Sequence, residues 1–433
     1  MKISGCNPAD EGEEKMKIRG KDIPLHKLPD KVISFIKDKR IQKRNDRKAM
    51  CCLRNHLNLQ HDKNEKIKVG FIVQMPEIWD KQFSVYHLMS ENSKFETWLL
   101  IVPAYDFTND TIGEYGEEKN FFISQCINGN FLLAKENGKW INIETLGFDY
   151  LFYQRPYDHY LPCELKSDQT VKYTKICYIP YATPEIKKTV IYPRSFFRNI
   201  YFGFMEDEGA AERNTKRFHK TCAKKLQHFC NIGYPSFEKC LRSDKNCRYD
   251  RILWTPRWSY DPVIGGSHFM EYNQQLTEFD WGKHSFCIRP HPMMWQNLIK
   301  IGKLTDQEVG DIQNQWAIHN ITVDKNKSIE ETFSQTDILL SDTSSVIPMF
   351  FLTEKPIIYC AFNIDFSSLL SKVLPGLYIV NTWNELESCL KMLFDHKDPL
   401  KPVRKKIIDQ YFSQHRNATE NIVQSIIDDY DNI

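Results

Sequence analysis

Two series of short apolar runs, separated by polar stretches of helix length, constrain this 433-residue chain more than any other feature. The first series is 68–73 (KVGFIV), 96–102 (ETWLLIV), 148–154 (FDYLFYQ), 175–180 (KICYIP) and 199–204 (NIYFGF). The second is 251–256 (RILWTP), 284–290 (HSFCIRP), 317–323 (AIHNITV), 337–341 (DILLS), 356–360 (PIIYC) and 377–380 (LYIV). Their length and their β-branched and aromatic content are those of buried strands. Strands alternating with helices predict parallel sheets with right-handed crossovers, so two series predict an α/β protein of two doubly wound, Rossmann-type lobes. The polar stretch 243–250 (SDKNCRYD) marks the boundary. The expected division is 1–65, a polar tail and a basic helical segment; 66–245, the first lobe; and 246–433, the second lobe with closing helices at 402–411 and 416–430.

Charge is informative only locally. The formal total is +2, without the basic excess of a dedicated nucleic-acid binder, so no nucleic-acid partner is expected. Between Lys31 and Arg54, however, nine Lys and Arg face two acids, Asp38 and Asp46. Val32, Ile33, Phe35, Ile36, Ile41, Met50 and Leu53 supply apolar positions to the same segment. Two readings compete: a helix at an anionic membrane surface, or a helix packed on the protein with a solvated basic face. No apolar run approaches the ~18–20 residues needed to span a bilayer. The opening MKISGCNPADEGEEK lacks the apolar stretch of a secretory signal, and a cytoplasmic protein is expected, peripheral at the inner membrane face if the first reading holds. The 13 scattered cysteines read as reduced thiols. His219, Cys222, His228 and Cys230 fit no zinc spacing, and no metal is expected. Asp429-Tyr430-Asp431 has a DxD form but reads as a tail.

In a doubly wound lobe, ligands bind beyond the carboxyl ends of the strands. Three segments of the second series qualify. In Arg289-Pro290-His291-Pro292, the prolines disfavour helix for Arg289 and His291 and fix the imidazole on a loop. A pKa of about 6.5 suits proton transfer or phosphate binding, and the competing reading is a histidine bonded within a turn. In DILLSDTSSVIPMFF, a strand runs into Ser341, Asp342, Thr343, Ser344 and Ser345 and then a helix, which makes either a diphosphate cradle or an ordinary helix cap. Gly265-Gly266-Ser267 permits close approach to an anion or makes a simple turn. In the first lobe, Arg155, Tyr181 and Thr183 follow strands, and Glu206 opens an acidic run.

RPHP after a strand, then about fifty residues later D-I-L-L-S-D-x-S-S, then K-P-I-I-Y, resembles the CDP-glycerol glycerophosphotransferase family, whose members build teichoic acids and related capsule polymers. The resemblance covers roughly 68–430 and is strongest from Ile252 onward, including ILWTPRWS, Ser267–Phe269 and EKPIIYC. It implies a GT-B-like architecture, with a nucleotide donor held by the lobe 246–433 and an acceptor entering from the lobe 66–245. His291 matches the family's donor-phosphate and catalytic histidine, with Arg289 beside it. Ser341, Asp342, Ser344 and Ser345 match its cradle. Thr343, Gly265, Gly266, Ser267 and Arg257 complete the expected donor site, and Tyr181, Thr183, Arg155 and Glu206 the acceptor side. Teichoic acid polymerases carry a further histidine in a first-lobe W-H-G motif; here the corresponding strand end reads Tyr181-Ala182-Thr183. Arg257-Trp258 stands where many relatives have a histidine pair.

The resulting expectation is a transferase for cell-surface polymers, moving an alditol phosphate or a sugar from a nucleotide-activated, CDP-linked donor to a polymer or lipid-linked acceptor. The alternatives are a GT-B nucleotide-sugar glycosyltransferase and a non-catalytic scaffold of a capsule-assembly complex. No cofactor is implied beyond the nucleotide-activated substrate. The other expected partner is the inner-membrane surface, through residues 31–54.

Overall fold

The computed structural model describes residues 15–18, 21–24, 30–56, 65–186, 192–326, 328–362 and 364–432. Both series fold into parallel sheets. The first contains β1 (Ile67–Val73), β2 (Phe95–Ile101), β3 (Asn130–Leu133), β4 (Tyr150–Tyr153), β5 (Lys175–Tyr178), β6 (Ile200–Phe204) and β7 (His228–Cys230), in the order β3-β2-β1-β4-β5-β6-β7. The second contains β8 (Arg251–Thr255), β9 (Ser285–Ile288), β10 (Thr322–Val323), β11 (Ile338–Ser341), β12 (Ile357–Cys360) and β13 (Tyr378–Val380), in the order β10-β9-β8-β11-β12-β13. Every neighbouring pair in both sheets is parallel. In each sheet the chain order reverses beside the first strand, between β1 and β4 and between β8 and β11. Such a switch point opens a crevice at the carboxyl edge.

Burial on both faces explains the continuous apolar runs. Ile252 and Trp254 of β8 belong to one hydrophobic core and Leu253 to the other; Ile338 and Leu340 of β11 are likewise divided from Leu339. The run 317–323 departs from expectation. A helix, Asp306–Ile318, begun by a Thr305–Glu308 capping box, takes Ala317 and Ile318, leaving only Thr322–Val323 as edge strand. The capping box fixes the helix at its start, and the apolar residues at its end complete its last turn. The apolar runs read from the sequence do not include edge strands β3 and β7. Part of the opening tail forms regular structure, since Lys15–Ile18 and Lys21–Pro24 pair as an antiparallel hairpin. The rest of that tail, 1–14 and 19–20, lies outside the described residues.

Five helices position the site and the chain ends: α1 (Asp30–Asn55), α2 (Asp80–Glu91), α3 (Pro235–Arg242), α4 (Val346–Phe351) and α5 (Ala418–Asp431). The basic segment is α1. Its second half docks on the first lobe: Ala49 and Leu53 are buried, His56 Nε2 lies 2.9 Å from the Val171 carbonyl, and Asp46 pairs with Arg194 at 2.7 Å. The packed-helix reading holds for this half. The first half exposes Val32 and Phe35. No helix among the described residues is long and apolar enough to cross a membrane.

The closing helix α5 returns to the first lobe and packs on α2 and α3. Thr419 is fixed by Glu238 of α3, its backbone N–H at 2.9 Å and its hydroxyl at 2.7 Å. The C-terminal DxD is therefore no tail. Asp429 accepts from Tyr150 and Tyr201 hydroxyls at 2.6 Å each and from Lys175 Nζ at 2.5 Å, joining three strands of the first sheet. Lys175 is buried, so removing its counter-ion leaves a charge without compensation. Asp429→Ala is expected to cost about 3–5 kcal/mol. By contrast, Lys94→Ala, at the exposed Lys94–Asp431 pair, should cost less than about 1 kcal/mol. Urea unfolding followed by tyrosine fluorescence checks both.

Candidate functional site

The switch point of the second sheet is organised by one carboxylate. Asp342, wholly buried just after β11, accepts from the Arg257 backbone N–H at 3.0 Å and the Ser267 hydroxyl at 3.2 Å. It also accepts from the His268 backbone N–H at 3.3 Å and from His268 Nδ1 at 2.7 Å. These donors sit on the loops after β8 and before the helix Phe269–Glu278, so Asp342 ties three segments together. Hydrogen bonds to a charged acceptor contribute about 1.5–3 kcal/mol each.

Beyond this hub, a cavity of about 140 Å³ is lined by Thr255–Trp258 after β8, Arg289–Pro292 after β9, and Thr343–Val346 after β11. Two of the three segments singled out in the second lobe thus meet. The cavity's remaining wall includes Glu185, which comes from the first lobe. Arg257 is buried; its Nη1 donates to the Thr343 carbonyl, while Nε has no hydrogen-bond partner. Ser344 and Ser345 are half-buried, with Ser344 Oγ accepting from the Val346 N–H at 3.4 Å. Because α4 is a helix of only six residues, Arg257 supplies more of the positive charge here than the helix dipole does.

His291 is set by its loop. Its Nδ1 accepts from the Met293 N–H at 3.1 Å, so Nε2 carries the proton of the neutral ring. The ring stands 6.1 Å from Trp258 between centroids and keeps one exposed edge, although much of it lies against protein. Removal from water, and then the Arg257 charge, lowers its pKa to about 4. His291 is therefore a neutral Nε2–H donor at pH 7, unless a bound anion raises it.

Nothing in the sequence singles out Glu185, because only its closeness to Tyr181 places it at a strand end. Its side chain is 19% exposed and lies 3.9 Å from Arg257 Nη1. Burial raises its pKa, against the opposing Arg257 charge and a hydrogen bond from the Ser345 backbone. Its loop is pinned to the second lobe: Thr183 Oγ1 donates to the Ser345 carbonyl at 3.2 Å, the Ser367 N–H donates to the Glu185 carbonyl at 2.8 Å, and Ile186 bridges Phe366.

The other predicted residues have different surroundings. Arg289 lines the cavity, but its Nη1 is engaged by Asp324, the Asn326 carbonyl at 2.9 Å and Thr332 at 3.2 Å. Ser341 and Thr343 are wholly buried, their hydroxyls bonded to Thr255 and Tyr359 at 2.7 Å each. Gly265 and Gly266 serve packing: at φ +107° and +54°, a Cβ would stand 2.9 Å from Arg257 Nε and 2.3 Å from the Phe362 ring. Ser267 joins the hub rather than the cavity wall. Tyr181 meets Tyr157 at 3.2 Å between hydroxyls. Arg155 donates to Gln74 and stacks on Tyr160 at 4.4 Å. Glu206 is buried against Tyr192, its pKa raised to about 7 by desolvation and by Asp207, and is not part of the cavity wall. Among the described residues, the one group of metal-capable side chains is His268, Asp342 and Cys360. Asp342's hydrogen bonds there account for both of its oxygens.

This geometry has two measurable outcomes. Asp342→Asn turns an amide donor toward N–H groups and is expected to lower stability by about 1–3 kcal/mol, read as a fall in melting temperature. Titration of His291 by NMR, assigned with His291→Gln, is expected to show its midpoint well below 6.5 and moving upward when pyrophosphate is added.

Residues 216–428 match the family model described as CDP-Glycerol:Poly(glycerophosphate) glycerophosphotransferase. No curated protein matches the chain. Among solved structures, UDP-GlcNAc 2-epimerase from Neisseria meningitidis bound to UDP-GlcNAc has a TM-score of 0.54 at 12% identity, covering 83% of this chain and 100% of that one. A variant of the wall teichoic acid polymerase TagF soaked with CDPG has a TM-score of 0.51 at 14% identity, covering 93% and 97%. S. aureus MnaA with UDP has a TM-score of 0.50 at 12% identity, covering 84% and 97%. At such identities the likeness is one of fold, and it agrees with two Rossmann-type lobes in the GT-B arrangement. The matched span, just under half of the chain, contains the Arg289–Pro292 loop and the Ser341–Ser345 segment and bears out the resemblance read from the sequence: the chain is a transferase whose residues 216–428 match the CDP-glycerol:poly(glycerophosphate) glycerophosphotransferase model.

Proposed function

We propose that the protein transfers an alditol phosphate, glycerol phosphate first among them, from its CDP-linked form to a hydroxyl of a phosphate-containing surface polymer or of its lipid-linked primer. The observation that carries this reading is the convergence of Arg257, His291 and Ser344–Ser345 on one cavity, faced by Glu185 from the opposite lobe. Cationic and N–H groups on one wall suit a donor diphosphate, and a carboxylate of raised pKa on the other suits an incoming hydroxyl.

In this mechanism the donor lies in the lobe 246–433, its diphosphate against Arg257 and the N–H and hydroxyl groups of Ser344 and Ser345. The acceptor oxygen attacks the phosphorus that bears glycerol; the new P–O bond forms as the P–O bond to CMP breaks, and CMP leaves with that electron pair. Glu185 takes the acceptor proton, filling the role left open by Tyr181-Ala182-Thr183. His291 Nε2–H stabilises charge growing on the phosphoryl oxygens. Arg289, held by Asp324, positions the loop that carries His291. The division 1–65, 66–245 and 246–433 assigns the membrane-facing helix, the acceptor lobe and the donor lobe in turn, except that α5 of the last span belongs with the acceptor lobe, and the exposed first half of α1 supports contact with an anionic inner-membrane surface.

The test is a mixture of CDP-glycerol, UDP-sugars and GDP-sugars with a matched primer, and mass spectrometry of the product. Growth by glycerol phosphate is the expected result. Growth by a hexose would replace it with sugar transfer, and an unmodified primer together with no thermal shift by CMP, CDP, UDP or GDP would favour the scaffold reading. His291→Ala is expected to lower kcat/KM about 100-fold or more with the melting temperature unchanged. A base must be deprotonated to act, so activity should fall as pH drops through the raised Glu185 pKa, above the ordinary glutamate range. That limb should vanish in the residual activity of Glu185→Gln.

A further inference from the structure

A second cationic cavity lies far from the first in the topology. About 510 Å³ in volume, it is formed between α1 and the first lobe, lined by Lys43 and Arg47 of α1 and by Arg194, Arg198, Arg217 and Lys220 of the lobe. The helix Arg194–Phe197 leads into β6, and Gln227, also in the wall, leads into β7. The cavity therefore sits at the amino edge of the first sheet, whereas the Arg257–His291 cavity opens at the carboxyl edge of the second.

Its cations are held in position. Arg194 Nη2 donates to Asp46 at 2.7 Å and its guanidinium lies 5.0 Å over the Phe218 ring. Arg217 lies 5.6 Å over the same ring and donates to the Tyr192 carbonyl at 2.5 Å. Arg198 Nε donates to the Arg194 carbonyl at 3.1 Å, while its buried Nη1 has no hydrogen-bond partner and stands 3.5 Å from Asp46. Desolvation, then the neighbouring Arg194 and Arg198 charges, lowers the Arg217 pKa. Six basic side chains thus surround a single lining acid, Asp46. Fixed guanidinium forks with unused N–H groups match the oxygens of a phosphate, and the cavity has the size of a small-ligand site.

We propose that this cavity is a binding site for a phosphate group, carried by an anionic lipid headgroup or by a soluble phosphorylated molecule. The inference goes beyond the transfer reading and does not depend on it, because binding is measured without donor or acceptor. The test uses the full chain, Arg217→Gln with Lys220→Gln as the cavity variant, and Lys405→Gln with Lys406→Gln as a control that removes equal charge at exposed side chains outside both the cavity and α1. In the soluble arm, hydrogen exchange over 192–199 and 217–227 is followed with inorganic pyrophosphate. In the lipid arm, sedimentation is measured with vesicles of equimolar phosphatidylglycerol and phosphatidylcholine, against phosphatidylcholine alone.

The expected result is protection or vesicle binding weakened about tenfold or more by the cavity variant and less than twofold by the control. Loss confined to the vesicle arm assigns a lipid headgroup, and loss confined to the pyrophosphate arm a soluble ligand. Equal effects of the two variants, or no response in either arm of the wild type, overturn the proposal. Should the cavity variant melt early, Lys220→Glu, at an exposed side chain with its charge reversed, is held to the same criterion.

Discussion

The Asp342 carboxylate is the constraint on which the architecture around the Arg257–His291 cavity depends. A buried charge survives only when its oxygens are satisfied, and here the donors come from segments far apart in sequence: Arg257, Ser267 and His268. By collecting them, Asp342 fixes where the chain turns after β8 and after β11. Those turns then present the Arg257 side chain and Ser344–Ser345 to one cavity. The glycine pair serves the same end, since a side chain at Gly265 would displace the Arg257 guanidinium. Asp342 thus acts at one remove, by shaping the walls around the place where phosphate is proposed to bind.

A second buried carboxylate couples the ends of the chain. Asp429, on the last helix, meets Tyr150, Lys175 and Tyr201 from three adjacent strands of the first sheet. The helix that completes the second half of the sequence is thereby an element of the first lobe. Contacts across the cleft are of another kind. The loop at 181–186 reaches the second lobe by two hydrogen bonds, a single bridge and the 3.9 Å Glu185–Arg257 approach. Further contacts join the lobes: Lys81 pairs with Glu330 at 3.1 Å, Ser368 donates to Asp207 at 2.7 Å, and the hydrophobic core of the first sheet continues to Leu253 and Leu339 of the second. A donor phosphate competing for Arg257 and the Ser345 N–H would draw those groups away from Glu185, leaving its carboxylate for an acceptor hydroxyl.

The order of strands is legible in the sequence because each run is buried on two faces and so is apolar throughout. The sheet ends are read less evenly: Tyr378–Val380 stands out and Asn130–Leu133 and His228–Cys230 do not, while the apolar residues of 317–323 belong partly to the end of a helix. At the cavity, motif and strand end suffice to select His291 and Ser344–Ser345, residues whose local backbone alone puts them at the carboxyl edge. Residues whose role depends on a distant partner are not legible. Arg289 is drawn off by Asp324, Asp429 is recruited by the first sheet, and Glu185 acquires its surroundings only when the lobes meet. Local sequence carries turn geometry and periodicity, and it says little about which charge finds which counter-charge across hundreds of residues.

The two sheets also support the proposal that the donor is held by the second lobe. Both have the same strand order around the switch point, so topology alone offers two equivalent crevices. In the first, the buried Gln154 side chain accepts from the Gln74 and Met75 N–H groups at 2.6 and 2.9 Å and donates to the Met75 carbonyl at 3.0 Å. Arg155 donates to Gln74 and lies over Tyr160. The backbone donors after β1 are thus consumed by the protein itself, and the nearby cation is already engaged. In the second, the equivalent turn after β8 has its backbone fixed by Asp342 from behind, and Arg257 retains an Nε–H without a partner. A phosphate at the first crevice must displace internal hydrogen bonds, whereas the second has beside it a cation with one N–H that the protein leaves unpaired.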